Sequence, residues 1–196
     1  MSLALGVLVS GNGTNLQAIL DATADGSLAA RVCCVISNRT EAMALERASR
    51  ASVPALAIRH QNFPDRAAFD RALIAALREH GAEWVVLAGF MRVLTPELLR
   101  AFPGRVVNIH PSLLPAFPGV NAQRQAFEHG VKVTGCTVHF VDQGVDSGKI
   151  IAQRAVPVEP GDDLSTLGSR VHAAEHELFV HVLREIAAGN IVPFEG

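Results

Sequence analysis

The sequence predicts an α/β fold: a single domain over residues 1–196 built on a mostly parallel open sheet with helices on both faces. Three observations predict it. Strand-like and helix-like segments alternate up to residue 110, the rhythm of right-handed βαβ crossovers. The first strand is an unbroken apolar run, as expected of a strand buried on both faces. Two later strand-like segments are joined by the short polar link DQGVDSG, too short for a parallel crossover, so they form an antiparallel addition in the C-terminal half. The N-terminal half then reads as Rossmann-like.

Leu3 to Val9 is the first strand; it breaks into Ser-Gly-Asn-Gly-Thr-Asn, and LQAILDA then reads as helix. RVCCVIS is the second strand, EAMALERASR a helix and PALAIR a short third strand. In DRAAFDRALIAALREHG, Phe69, Ala72, Leu73, Ala76 and Leu77 keep helical spacing and Gly81 supplies the stop. EWVVLAGF is the fourth strand. TPELLRAF is a short helix with Thr95 as N-cap and Pro96 in its first turn. RVVNIH is the fifth strand and ends in a stretch with three prolines and a glycine, which must leave the sheet on a stiff path. A helix around AQRQAFEHG, the strands VTGCTVHFV and KIIAQRAVPV, and a long helix from about Asp163 complete the chain.

The bulk numbers exclude several functions. Seventeen basic and nineteen acidic residues are dispersed without a basic cluster, which argues against nucleic acid as a partner. No apolar run approaches the roughly 20 residues that span a bilayer, and the apolar start has no basic residue before Arg31, so neither a membrane partner nor a signal peptide is expected. Cys33, Cys34 and Cys136 cannot all pair, and the adjacent Cys33 and Cys34 should point to opposite faces of their strand. That favours free thiols and a reducing, cytoplasmic compartment.

The polar segments SGNGTN, SN, GFMR and NIHPS all follow the carboxyl ends of strands, the edge at which an open α/β sheet binds ligands. The glycine loop offers backbone N–H groups, a helix N-terminus and two hydroxyls, a seat for phosphate. It lacks the lysine of a P-loop, and Leu16 replaces the third glycine of a dinucleotide fingerprint; a tight turn that merely needs glycine is the competing reading. Asn108 and His110 share a strand face and could hold a developing oxyanion and supply a proton, with a core histidine bonded to backbone as the alternative. Asp146 lies between small residues in a connection short enough to overhang the crevice. A carboxylate there would stabilise the His110 imidazolium, although spacing alone favours a routine turn aspartate.

SGNGTN, LAGFMRVL, NIHPSLLPAFPG and TVHFVDQGVDSG, in this order, resemble the folate-dependent formyltransferases, from Leu5 to about Glu185. The glycine loop is similar to the branch that acts on glycinamide ribonucleotide (GAR) in purine synthesis. The resemblance implies that the GAR phosphate rests on Gly13, Thr14 and Asn15. It implies that the co-substrate 10-formyltetrahydrofolate lies between Arg66 and the segment Met91, Arg92, Val93, Leu94, with its formyl oxygen toward Asn108 and His110. It further implies direct attack by the amine, a tetrahedral oxyanion held by Asn108 and protonated His110, Asp146 tuning His110, and no metal. Ala116, where several members carry Lys, and Lys149, where Pro is common, depart from the pattern, as does a VNAQRQ segment without histidines.

The last helix carries HAAEH, a match to the His-x-x-Glu-His zinc-peptidase pattern. Leu164, Leu167, Val171, Ala174, Leu178 and Val182 define its apolar stripe; Glu175 falls close to that stripe, and His172 and His176 fall to its side and back. Two histidines so placed do not converge on zinc, so the zinc-hydrolase reading ranks last. The resemblance instead gives Glu175 a contact to GAR. A formyltetrahydrofolate hydrolase would share Asn108, His110 and Asp146 but is expected to carry a domain before the first strand. A methionyl-tRNA formyltransferase is expected to carry a basic domain after it. A binding module without catalysis would have no use for a poised proton donor. The expected assembly is a monomer or homodimer.

Overall fold

The computed structural model describes residues 2–194. The order of elements is β1 (Leu3–Val9), α1 (Thr14–Ala24), β2 (Ala30–Ser37), α2 (Met43–Arg50), β3 (Ala55–Ala57), a 3-10 turn (His60–Asn62), α3 (Arg66–Glu79), β4 (Trp84–Leu87), α4 (Pro96–Ala101), β5 (Val106–His110), α5 (Ala122–His129), β6 (Val133–Phe140), β7 (Ile150–Pro157) and α6 (Leu164–Ala187). The seven strands form one sheet in the order β3-β2-β1-β4-β5-β6-β7. β1 to β5 pair in parallel, and β6 runs antiparallel to both β5 and β7.

The alternation of side chains divides the core into two layers. Leu5, Val7 and Val9 of β1 pack with Leu16, Ile19, Val171, Phe179 and other residues of α1 and α6, while Leu8 packs with Phe69, Leu73, Leu77 and Leu98 of α3 and α4. α3 approaches β1 closely because Gly6 has no side chain; a Cβ there would run into Leu77 and Ala82. α6, with 24 residues, starts at a capping box in which Asp163 and Thr166 exchange side-chain-to-backbone bonds. Among the described residues no helix is long and apolar enough to cross a membrane.

Two expectations change. Cys33 and Cys34 do not point to opposite faces. The β1–β2 register steps from Leu5↔Val32 to Gly6↔Cys34, so Cys33 is the extra residue of a bulge, and both thiols enter the α3–α4 layer. All three cysteines are free and buried. Thr95 occupies the N-cap of α4, yet its hydroxyl makes no cap bond. Its backbone N–H instead donates to Asp70 Oδ2 at 2.6 Å.

Candidate functional site

At the end of β5, Asn108 and His110 project on the same side as Val106, toward the α3–α4 layer. The His110 ring is buried, and both its nitrogens face acceptors: Nδ1 lies 3.2 Å from Asp146 Oδ2 and Nε2 lies 2.9 Å from the Phe117 carbonyl. A protonated imidazole satisfies both with N–H donors. Asp146 Oδ2 also accepts the Gly119 N–H at 2.8 Å. The carboxylate thus joins the proline loop to β5. Its backbone is left-handed, φ 52°, an uncommon state for aspartate that its three-sided anchorage maintains.

Asn108 Nδ2 sits 3.1 Å from His139 Nε2 and 3.5 Å from Asp146 Oδ1. His139 Nδ1 lies 2.8 Å from the Phe140 carbonyl, which assigns the proton to Nδ1 and leaves Nε2 to accept from Asn108. The Asn108 amide is thereby fixed, with one N–H spent on His139 and the other only loosely held. Burial pushes the Asp146 carboxyl up, but the Gly119 N–H and the charge of His110 outweigh it and hold it below the ordinary carboxylate value.

The stiffness of the proline loop comes from β6 and β7 as well as from proline. Thr137 Oγ1 donates to the Ser112 carbonyl at 2.7 Å and accepts the Leu114 N–H at 3.0 Å, and Gln153 Nε2 donates to the Leu114 carbonyl at 2.8 Å. Sequence reasoning missed Thr137, His139 and Gln153. The first two stand directly opposite His110 and Asn108 in the β5–β6 register.

In the glycine loop, Gly13 is the left-handed N-cap of α1, φ 76°, and Thr14 and Asn15 open the helix. A Cβ on Gly13 would come within 2.6 Å of Ala44, so the position requires glycine on both counts. Arg47 of α2, also missed, braces the loop: Nε donates to the Asn12 carbonyl at 2.8 Å and a terminal nitrogen to Asn12 Oδ1 at 2.9 Å. It sets a cation beside a loop that has no lysine of its own. Asn15 Oδ1 is buried without a partner among the described residues.

Met91 to Leu94 form an irregular strap after β4, with Met91 and Val93 exposed and Leu94 buried. Arg66, exposed, opens α3, whose Asp70 holds the strap's far end. On α6, Glu175 is buried and its Oε2 lies 2.7 Å from His172 Nδ1. That hydrogen bond raises the His172 pKa, whereas burial lowers that of His176. Among the described residues, no group of three or more His, Cys, Asp or Glu is arranged to hold a metal. Lys149 stands 4.9 Å over the Phe194 ring, and the Ala116 carbonyl accepts the Ser112 hydroxyl, so neither departure enters the Asn108–His110–Asp146 cluster.

The chain matches the formyl transferase family over residues 4–183. It is 48% identical over 187 residues to the trifunctional purine biosynthetic protein adenosine-3 of Drosophila pseudoobscura pseudoobscura, a match covering 94% of the chain but only 14% of that protein. Against the phosphoribosylglycinamide formyltransferase of Bacillus subtilis (strain 168), identity is 41% over 184 residues, with 94% of each chain covered. Among solved structures, glycinamide ribonucleotide transformylase 1 from Symbiobacterium toebii superposes with a TM-score of 0.96 at 54% identity, covering 100% of this chain and 92% of that one.

Proposed function

The chain belongs to the formyl transferase family, and on that premise we propose that it transfers the formyl group of 10-formyltetrahydrofolate to the amine of 5′-phosphoribosylglycinamide in purine biosynthesis. The observation that carries this reading is the convergence of Asn108, His110 and Asp146 within hydrogen-bonding reach on one buried face. The names and coverage of the relatives support the substrate pair.

The amine lone pair attacks the formyl carbon, and the carbonyl π electrons move onto oxygen to give a tetrahedral oxyanion. Asn108 offers the N–H that Asp146 Oδ1 holds at 3.5 Å, and His110 exchanges the Phe117 carbonyl for the oxyanion at Nε2. Each such donor is worth about 3–4 kcal/mol in a water-poor site. Asp146 keeps the ring oriented through Nδ1. The attacking nitrogen then loses a proton, folate N10 gains one, and the bond from carbon to N10 breaks. Holding the two reactants in line supplies much of the remaining acceleration.

The glycine loop, with Gly13, Thr14 and Asn15, seats the phosphate; Glu175 contacts GAR; and Arg66 with Met91, Arg92, Val93 and Leu94 borders the folate. Residues 1–196 act as one formyltransferase unit, as a monomer or homodimer, in a reducing cytoplasm that suits its free thiols. The test is spectrophotometric: protein, 10-formyltetrahydrofolate and candidate amines are mixed and folate consumption is followed. Consumption that requires 5′-phosphoribosylglycinamide is expected. Consumption without any amine would replace this reading with a formyltetrahydrofolate hydrolase.

A further inference from the structure

The strap between β4 and α4 has no regular structure, and among the described residues the backbone N–H and C=O groups of Arg92, Val93 and Leu94 bond to nothing within the chain. Its two ends, by contrast, are pinned by buried side chains. The Met91 N–H donates to Ser10 Oγ at 2.8 Å, and the Thr95 N–H donates to Asp70 Oδ2 at 2.6 Å. Ser10 is 3% exposed and Asp70 1%. The Ser10 hydroxyl is itself aimed by donating to Asn38 Oδ1 at 2.6 Å, and the Asn38 amide faces His60 Nδ1 at 3.3 Å. Hydroxyl, amide and carboxylate are costly to bury unless each is bonded; among the described residues Asp70 Oδ2 bonds only the strap, and Ser10 Oγ bonds only the strap and the Asn38 that aims it. What they support is the strap.

We propose that Ser10 and Asp70 are positioning residues that hold the strap at the height where its unbonded peptide groups receive the pteridine of the formyl donor. This rests on the formyl-transfer reading above. The glycine loop that follows Ser10 is held independently, by Arg47 on Asn12 and by the Ala44 N–H on the Gly11 carbonyl. Loosening the strap therefore leaves the phosphate seat in place, and the two substrates must respond differently.

Initial rates with both substrates varied test this. Ser10→Ala and Asp70→Ala are each expected to raise KM for the formyl donor about tenfold, while KM for the phosphoribosyl amine changes less than about twofold. Asp70→Asn keeps an oxygen for the Thr95 N–H and is expected to return the donor KM to the parent value. If the Ser10 variant does not fold, Asn38→Ala, which leaves the hydroxyl present but unaimed, is expected to raise the donor KM about threefold. An unchanged donor KM in the alanine variants, an equal rise in both KM values, or failure of Asp70→Asn to rescue overturns the proposal. A parent protein that neither binds tetrahydrofolate nor transfers formyl overturns the underlying reading and this proposal with it, and is seen before any variant is made.

Discussion

Replacing Asp146 by Asn separates charge from shape at the centre of the site. In the parent, Oδ2 accepts the Gly119 N–H at 2.8 Å and faces His110 Nδ1 at 3.2 Å, while Oδ1 lies 3.5 Å from Asn108 Nδ2. An amide of the same size keeps one acceptor and turns the other into a donor. With its oxygen left on Gly119 and His110, its NH2 confronts Asn108 Nδ2, donor against donor. Loss of the charge-assisted bond to the imidazolium removes about 1.5–3 kcal/mol, and the donor clash adds on the order of 1 kcal/mol. With the Asp146 side chain only 13% exposed, little of this is screened. Together these predict a fall in kcat of about two to three orders of magnitude. KM for either substrate should change less than about threefold, because the loss falls on the transition state. Initial rates over both substrates, with a thermal melt to confirm folding, measure it. A folded variant with kcat within tenfold of the parent would refute the role given to Asp146. Stability supplies a second reading. The folded carboxyl sits below its ordinary 3.8, so its contribution is present above that pH and lost as pH falls through the lowered value. The Asn variant should lack that acid step.

His110→Ala is expected to lower kcat at least about a hundredfold with little change in KM; loss confined to binding would remove the ring from the chemistry. Gly13→Ala combines a left-handed backbone with a Cβ 2.6 Å from Ala44. It should cost about 2–4 kcal/mol in urea unfolding and raise KM for the phosphoribosyl amine; an unchanged KM would mean that the loop is not the phosphate seat. Because the Glu175 bond raises its pKa against the lowering effect of burial, His172 should titrate above 6.5 by NMR and fall to or below 6.5 in Glu175→Gln. Its ion pair stabilises the fold below the ordinary value and is lost as pH rises through the raised one. Titration at or below 6.5 in the parent would refute the pairing.

The site was legible wherever a local period sets it. Alternation alone puts Asn108 and His110 on one face, and glycine spacing marks the loop before α1. Asp146 was legible only through the family string, since nothing in DQGVDSG says where a turn aspartate points. His139 and Thr137 alternate with apolar Cys136, Val138 and Phe140, so their shared face could have been read; that this face meets His110 and Asn108 depends on the β5–β6 register, a tertiary fact. Arg47 reaches Asn12 across 35 residues, which no pattern reports. The cysteine expectation failed for the complementary reason: alternation assumes an unbroken ladder, and the bulge at Cys33 breaks it.

The antiparallel β6 determines what kind of site this is. Had the strand beside β5 run parallel, its following loop would have emerged at the same edge as the proline loop, where only the strand tip is within reach. Running the other way, β6 ends at the opposite edge, where β7 begins beside it, and between them the segment from Asp142 to Gly148 loops back over the face of β5, bringing Asp146 to Asn108 and His110. Its geometry reflects that path: Asp146 is left-handed, and Gly148 packs so close to the Phe140 carbonyl that a Cβ has no room. The carboxylate therefore arrives from above the sheet and closes over Asn108, two residues short of the tip, as well as over His110. That cover leaves the His110 side chain 6% exposed. In the proposed reaction the imidazole and the amide can then both donate to one oxygen, with the carboxylate holding the ring from behind, in a medium where water does not dilute their fields.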